Sequence, residues 1–268
     1  MDKLECHIHD YLKIESWKKL KVDAFYKNLS PVATDRRKYE IEYLHRSAYI
    51  KFYSAHYNIG RLKKWLYTPS PPGERIANIL CLISTCLQDL FSICDLMAKQ
   101  IFIAYYDHDL IYPLYLHTLK SKGVKLKSTN GWIWIIPKRQ VEYNTIYTKF
   151  IKDQTDKDGS WYDDLRYYRN NNMHWISSFL HHDRINDKFY LMKKDMFEKN
   201  FEFIIKNEPV RNMNPTPEIE NKFASMRRAN TIDLQFEEYF RNVKDFAINI
   251  WGQMLELYLK SPAKSGVK

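Results

Sequence analysis

Glycine is scarce in this chain, at 7 of 268 residues, and neither a Walker pattern nor Gly-x-Gly-x-x-Gly occurs. Without a Gly-rich cradle for phosphate, the usual nucleotide-hydrolase and dinucleotide-binding classes are set aside. Gly-x-Ser-x-Gly is also absent, which removes the nucleophile elbow of the α/β-hydrolases. So few glycines, with long runs lacking proline, favour helices over a β-sandwich. There are 4 cysteines, Cys6, Cys81, Cys86 and Cys94, and none is paired at zinc-ligand spacing. Three of them fall in one apolar segment, as expected of buried reduced thiols in a cytoplasmic protein. The carboxylates are scattered, with none of the pairing that a two-metal nuclease needs. His7-x-His9 and His181-His182 lack further ligands nearby, so no metal and no cofactor is expected. Met1-Asp2-Lys3-Leu4-Glu5 opens no apolar leader, so no secretion signal is expected. The longest apolar stretch, Ile76 to Phe102, is interrupted by Asn78, Gln88, Asp89, Asp95 and Lys99. A charge at mid-bilayer is costly, so this reads as a core helix and no membrane contact is expected.

What is abundant is basic charge: 42 Lys and Arg against 32 Asp and Glu, a formal +10. Such an excess suits a polyanion such as RNA, although a Lys-rich solvated surface is the plainer explanation. Residues 110–141 hold no acid and six basic side chains. Within them Val124 to Ser128 alternates, Asn130-Gly131 is a hairpin turn signal, and Trp132 to Ile136 is strand-like. A hairpin carrying Lys125, Lys127, Trp132 and Trp134 can grip single-stranded RNA by phosphate contact and base stacking. The alternative is that the tryptophans pack the hairpin onto the rest of the protein. A second, weaker hairpin is expected over Lys188–Lys193 and Phe201–Lys206.

Elsewhere the period is helical. Tyr11 to Leu29 is one candidate helix, and Arg36 to Tyr67 is a long amphipathic one with Tyr39, Tyr43, Ala48, Ile50, Tyr53, His56 and Tyr57 on its apolar face. Pro69-Ser70-Pro71-Pro72-Gly73 makes the clearest break. A helix from Glu74 to Tyr106 follows, apolar on nearly all sides in its first half and so suited to a bundle centre or a subunit interface. On it Asp89 and Asp95 invite a catalytic reading, with an i,i+4 pair of Asp95 and Lys99 as the alternative. Asn212 to Pro217 reads as a turn. A last helix spans about 231–259, with Phe236, Tyr239, Val243, Phe246 and Ile250 on its core stripe. The expected architecture is mainly α: helices over 1–68 packing on a helical bundle over 69–260, a basic hairpin near 120–139, and a frayed tail over 261–268.

The run Arg169-Asn170-Asn171-Asn172-Met173-His174 carries the chemistry. Arginine is a permanent forked cation suited to phosphate, and histidine both accepts and donates a proton near neutral pH. Positions five apart on an unbroken helix diverge by about 140°. Asparagine favours caps and turns, so a kink or cap at Asn170–Asn172 is expected to bring the two groups to one surface. The alternative pairs Arg169 with Asp163 or Asp164 and leaves His174 an ordinary, partly buried histidine.

Arg-Asn-x-x-x-His in a helical, moderately basic chain resembles the signature of the HEPN superfamily, found in toxins, phage-defence nucleases and CRISPR-linked ribonucleases. The flanks Asp163 to Tyr168 and Trp175-Ile176-Ser177 are similar to those of such domains. The resemblance covers one short motif and helical content over about 60–260. It implies a HEPN-type helical bundle that homodimerises, so that two motifs face each other across a composite active site. It further implies a cytoplasmic, metal-independent endoribonuclease, with an antitoxin or regulatory partner in some systems. Arg169 would hold the scissile phosphate, His174 would serve as general acid or base, and Asn170 would orient either group or the RNA. Some members carry a tyrosine two residues past the histidine that a partner enzyme modifies. Ile176 stands there in this chain, so that regulation is not expected.

Overall fold

A spacing of three and four residues between apolar positions governs most of the chain in the computed structural model. It describes residues 35–105, 126–129, 132–135, 160–213 and 215–260, with side chains over 43–71, 73–97, 100, 160–171, 179–207 and 215–252. The elements are α1 (Asp35–Tyr67), α2 (Pro72–Tyr105), β1 (Leu126–Thr129), β2 (Trp132–Ile135), α3 (Trp161–Phe179), β3 (Leu180–Asp183), β4 (Lys188–Met192), α4 (Lys194–Lys199), α5 (Phe201–Met213), α6 (Pro217–Met226), β5 (Arg227–Thr231) and α7 (Ile232–Lys260). The protein is mainly helical, as its composition predicts. The candidate helix over Tyr11–Leu29 and the tail over 261–268 lie outside the described residues.

Two compact units divide the chain: residues 1–54, 89–163 and 241–268 form one, and residues 55–88 and 164–240 the other. In the first unit, Ala48 and Phe52 of α1, Leu90, Phe91, Ile93, Cys94 and Met97 of α2, and Val243, Phe246, Ala247 and Ile250 of α7 are buried. Trp251 packs against His45 at 5.0 Å and Phe52 at 6.4 Å, and its Nε1 donates to Gln100 Oε1 at 2.6 Å. Burial pushes the His45 imidazole down to about 3, so it stays neutral in the core. Asp89 is buried on α2, where its carboxylate accepts from Lys51 Nζ at 2.6 Å and from Ser54 Oγ. That pairing satisfies Asp89 within the helix packing.

The second unit adds the strands to the helices. β3, β4 and β5 form an antiparallel sheet in that order, with Leu180 opposite Leu191, Asp183 opposite Lys188, and Met192 opposite Arg227. Phe189 to Met192 are buried, a run of four that marks β4 as the central strand. Lys188–Met192 therefore pairs on both sides with strands other than the one expected. Phe201–Lys206 belongs to α5, where Ile204 is buried, and its apolar residues serve a helix. Thr216 caps α6 by accepting from Ile219 N at 3.4 Å, with Pro217 at the first helical position. Tyr67 donates to Asp233 at 3.1 Å, tying the end of α1 to the first turn of α7.

Over Gly73–Met97, α2 is long and apolar enough by composition to cross a membrane, and half of that stretch is buried inside the fold. The described part of the hairpin near 120–139 matches expectation. β1 and β2 pair antiparallel with Thr129 opposite Trp132, leaving two residues for the turn.

Candidate functional site

Ser160 starts α3, accepting from the backbone N–H of Asp163 at 3.2 Å as an N-cap. The next turns are held by buried side chains: Tyr162, Leu165 and Tyr168 on the inner face and Phe179 at the far end. Tyr168 packs edge-on against Phe179 at 5.4 Å and donates its hydroxyl to the Met192 carbonyl of β4. Arg228 of β5 reaches the same place, donating from Nε to Tyr168 Oη at 3.1 Å and from Nη2 to Asp164 Oδ2. Burial pushes Tyr168 up to about 12 and Tyr239 well above its ordinary value. Burial also opposes ionisation of Arg228, but Tyr239, Tyr168 and Asp164 beside it more than offset this and keep the guanidinium charged.

Beyond this anchor the motif emerges. Arg169 is half-buried and Asn170 exposed, and Arg169 Nη1 donates to Asn170 Oδ1 at 3.0 Å. Asn171 Nδ2 donates to the Tyr167 carbonyl one turn back, at 2.8 Å. The expected kink is therefore corrected: α3 runs unbroken through Asn170–Asn172 to Phe179. The Asn171 amide bonds along the helix and that of Asn170 takes the guanidinium, so neither pulls the backbone out of its ladder. Buried Tyr168 and Phe179 on either side supply the tertiary packing that outweighs the poor helix propensity of asparagine. His174 lies on the same helix, five positions and about 140° round from Arg169. Its side chain is outside the described residues.

The second group of expected site residues sits on the hairpin. Lys127 is directly opposite Trp134, and strand alternation puts positions 127, 132 and 134 on one face of the ribbon. Leu126, Ile133 and Ile135 occupy the other. Lys125 is outside the described residues. The hairpin belongs to the first unit, and Arg169, Asn170 and His174 to the second.

One polar constellation had no signal in the spacing of the sequence. Asp187, in the left-handed region at φ 50°, closes the β3–β4 turn. Its carboxylate accepts from Arg75 Nη1 at 2.9 Å on both oxygens and lies 2.9 Å from His182 Nε2. The His182 hydrogen bond and then Arg75 hold Asp187 below the ordinary carboxylate range. The His182 ring lies flat on Phe189, 4.2 Å between centroids. Arg75 also donates to the carbonyls of Trp65 and Leu66 at the end of α1, so the hairpin turn is pinned to the α1–α2 corner. A carboxylate-oriented, half-exposed imidazole is competent for proton transfer, but Arg75 is fully engaged in structure. Among the described residues no cluster of three or more His, Cys, Asp or Glu is placed to hold a metal ion. Comparison with family models, curated proteins and solved structures finds no match to this chain.

Proposed function

We propose that the protein is a metal-independent endoribonuclease of the HEPN type, cleaving single-stranded RNA in a prokaryotic toxin or phage-defence role. The observation that carries this reading is the Arg169–Asn170 hydrogen bond at an exposed turn of α3. It gives Asn170 an orienting role toward a guanidinium whose planar, forked geometry suits a phosphate. A ribose 2′-OH attacks the adjacent phosphorus, forming the cyclic P–O bond as the bond to the 5′-oxygen breaks. His174 moves the proton from the 2′-OH or to the leaving 5′-oxygen, and Arg169 stabilises the charge on the phosphorane. On an unbroken helix Arg169 and His174 of one chain diverge, so a single phosphate is best served by Arg169 of one copy and His174 of another. Two copies also supply one histidine as base and one as acid. A second reading is favoured by the same unbroken helix: a helical module that binds RNA or protein and keeps the motif for structure.

Cleavage of end-labelled single-stranded RNA in EDTA, by the unmodified protein and by His174→Ala, separates the two. The ribonuclease reading expects 2′,3′-cyclic phosphate ends, no action on DNA, and loss of cleavage in the variant. RNA binding with no cleavage by either protein gives the binding module.

A further inference from the structure

The helix α1 is apolar on two opposite faces. Ala48, Phe52, Ala55, Ile59, Leu62 and Leu66 recur at spacings of four and three and are all buried. Roughly opposite them runs a second seam that is outward. Tyr43, Ile50 and Tyr57 stand seven apart and are 64%, 58% and 52% exposed, and Tyr67, ten further on, is 67% exposed. These are the a and d positions of one continuous heptad frame, completed by Arg46, Tyr53, Gly60 and Lys64. Of the eight large apolar side chains exposed among the described residues, this one seam holds four. A lone exposed apolar residue needs no explanation, whereas an ordered stripe on one helix does.

Gly60 is a second, independent observation. It sits in the interior of a 33-residue helix, where glycine is destabilising. A Cβ built there meets nothing within 4 Å, so the packing of the described structure gives no reason for it. A surface brought close by another chain does.

We infer that this face of α1 pairs with the same face of a second copy of the chain, antiparallel and centred on residue 55. In that register a and d positions meet in turn: Tyr43 opposite Tyr67, Ile50 opposite Gly60, and Tyr53 opposite Tyr57. The bulk of Ile50 enters the space left by Gly60, and the tyrosines pair as offset rings. A parallel pairing sets Gly60 against Gly60, leaving a gap, and Ile50 against Ile50. Arg46 and Lys64 meet a like charge in either direction, and their long stems carry the charges outward to water. The area suffices. With about 200 Å² per large side chain, the four exposed residues cover about 500 Å² per copy. Over two copies this reaches the roughly 1,000 Å² of a specific interface.

Sedimentation equilibrium of the full chain from about 1 to 100 µM tests the pairing. Twice the 32.4 kDa mass of the chain is expected. Ile50→Glu and Tyr57→Glu should each weaken association at least tenfold, with the circular dichroism and melting temperature of the parent. A monomer throughout the range, or a dimer indifferent to both variants, overturns the inference. The direction is read by mixing Ile50→Cys and Gly60→Cys chains, each with Cys6 and Cys81 replaced by Ser. A disulfide between the two variants is expected. Dominant Ile50→Cys homodimers, or no cross-link at all, overturn it even where a Glu variant folds poorly. The pairing does not rest on the ribonuclease reading: a dimer indifferent to both variants overturns this surface and leaves the composite site standing, and a failure to cleave RNA leaves the pairing standing.

Discussion

Arg228 shows how one side chain can decide where a helix sits. It joins β5 to α3 through Asp164 and Tyr168, and Tyr168 directly precedes Arg169. Removing the guanidinium takes the Arg228 charge away from a mostly buried carboxylate. Arg228→Ala should cost about 2–4 kcal/mol, somewhat less than a fully buried pair because both side chains keep some solvent. Urea unfolding measures this, and adding Asp164→Leu to Arg228→Met should recover most of the loss. Arg228 and Tyr168 are 60 positions apart, and nothing in either neighbourhood marks them as partners. Asp183 offers a pH test. Burial alone would raise its pKa, but hydrogen bonds from Arg227 and Asn186 outweigh that and hold it well below the ordinary 3.8. A lowered carboxylate contributes stability that is present above its unfolded pKa and is lost as pH falls through the folded value. The melting temperature should therefore fall more steeply below about pH 4 in the parent than in Asp183→Asn. An identical acid slope in both would show that Asp183 contributes nothing there.

At the scale of elements, the long helices and the basic hairpin were legible because their periods are strong and their breaks carry proline or Asn-Gly. The expected spans of α1, α2 and α7 agree with the observed ones to within a few residues. Two readings failed for identifiable reasons. Three asparagines in succession argue for a break, yet α3 continues, since tertiary packing on both sides outweighs local propensity. On α1 the expected apolar face mixed two sides of the helix, joining the buried Ala48 to outward-facing tyrosines and Ile50. Tyr43, Ile50 and Tyr57 point outward, while the smaller Ala48 and Ala55 line the core with Phe52 and Ile59. Amphipathic aromatic residues tolerate either environment, so their periodicity gives a face without saying which way it turns. Gly60→Ala follows from the same geometry. With open space around it in the described structure, the substitution should stabilise the isolated chain by about 0.5–1 kcal/mol. It should weaken association measured in the same samples. A destabilised monomer would show that Gly60 is needed within the chain.

The whole molecule carries a formal charge of +10, which bears on binding more than on fold. If RNA is the ligand, affinity for a labelled single strand should fall with salt, with a slope of about −0.7 per phosphate contacted. Lys127→Ala should lower that slope by about one contact, and Trp134→Ala should weaken binding with the slope unchanged. Equal slopes for Lys127→Ala and the parent would remove the hairpin from the RNA path. These measurements use His174→Ala as the parent, so that cleavage does not distort binding. Division into two units was not legible in the chain, because each is assembled from segments far apart in sequence and the long helices contribute residues to both.

The amino-acid sequence by itself determined the helical class, the break after Tyr67, the hairpin with its two-residue turn, and the presence of Arg169 and His174 on one segment. Each depends on periods and turn chemistry that act over a few residues. Only the tertiary structure decided which face of α1 is core, which strands flank β4, and that α3 runs straight through its asparagines. It alone joined Arg75, His182 and Asp187 in one place. These outcomes depend on contacts between residues tens of positions apart, whose packing and buried ion pairs outweigh the local preferences that a linear reading can weigh.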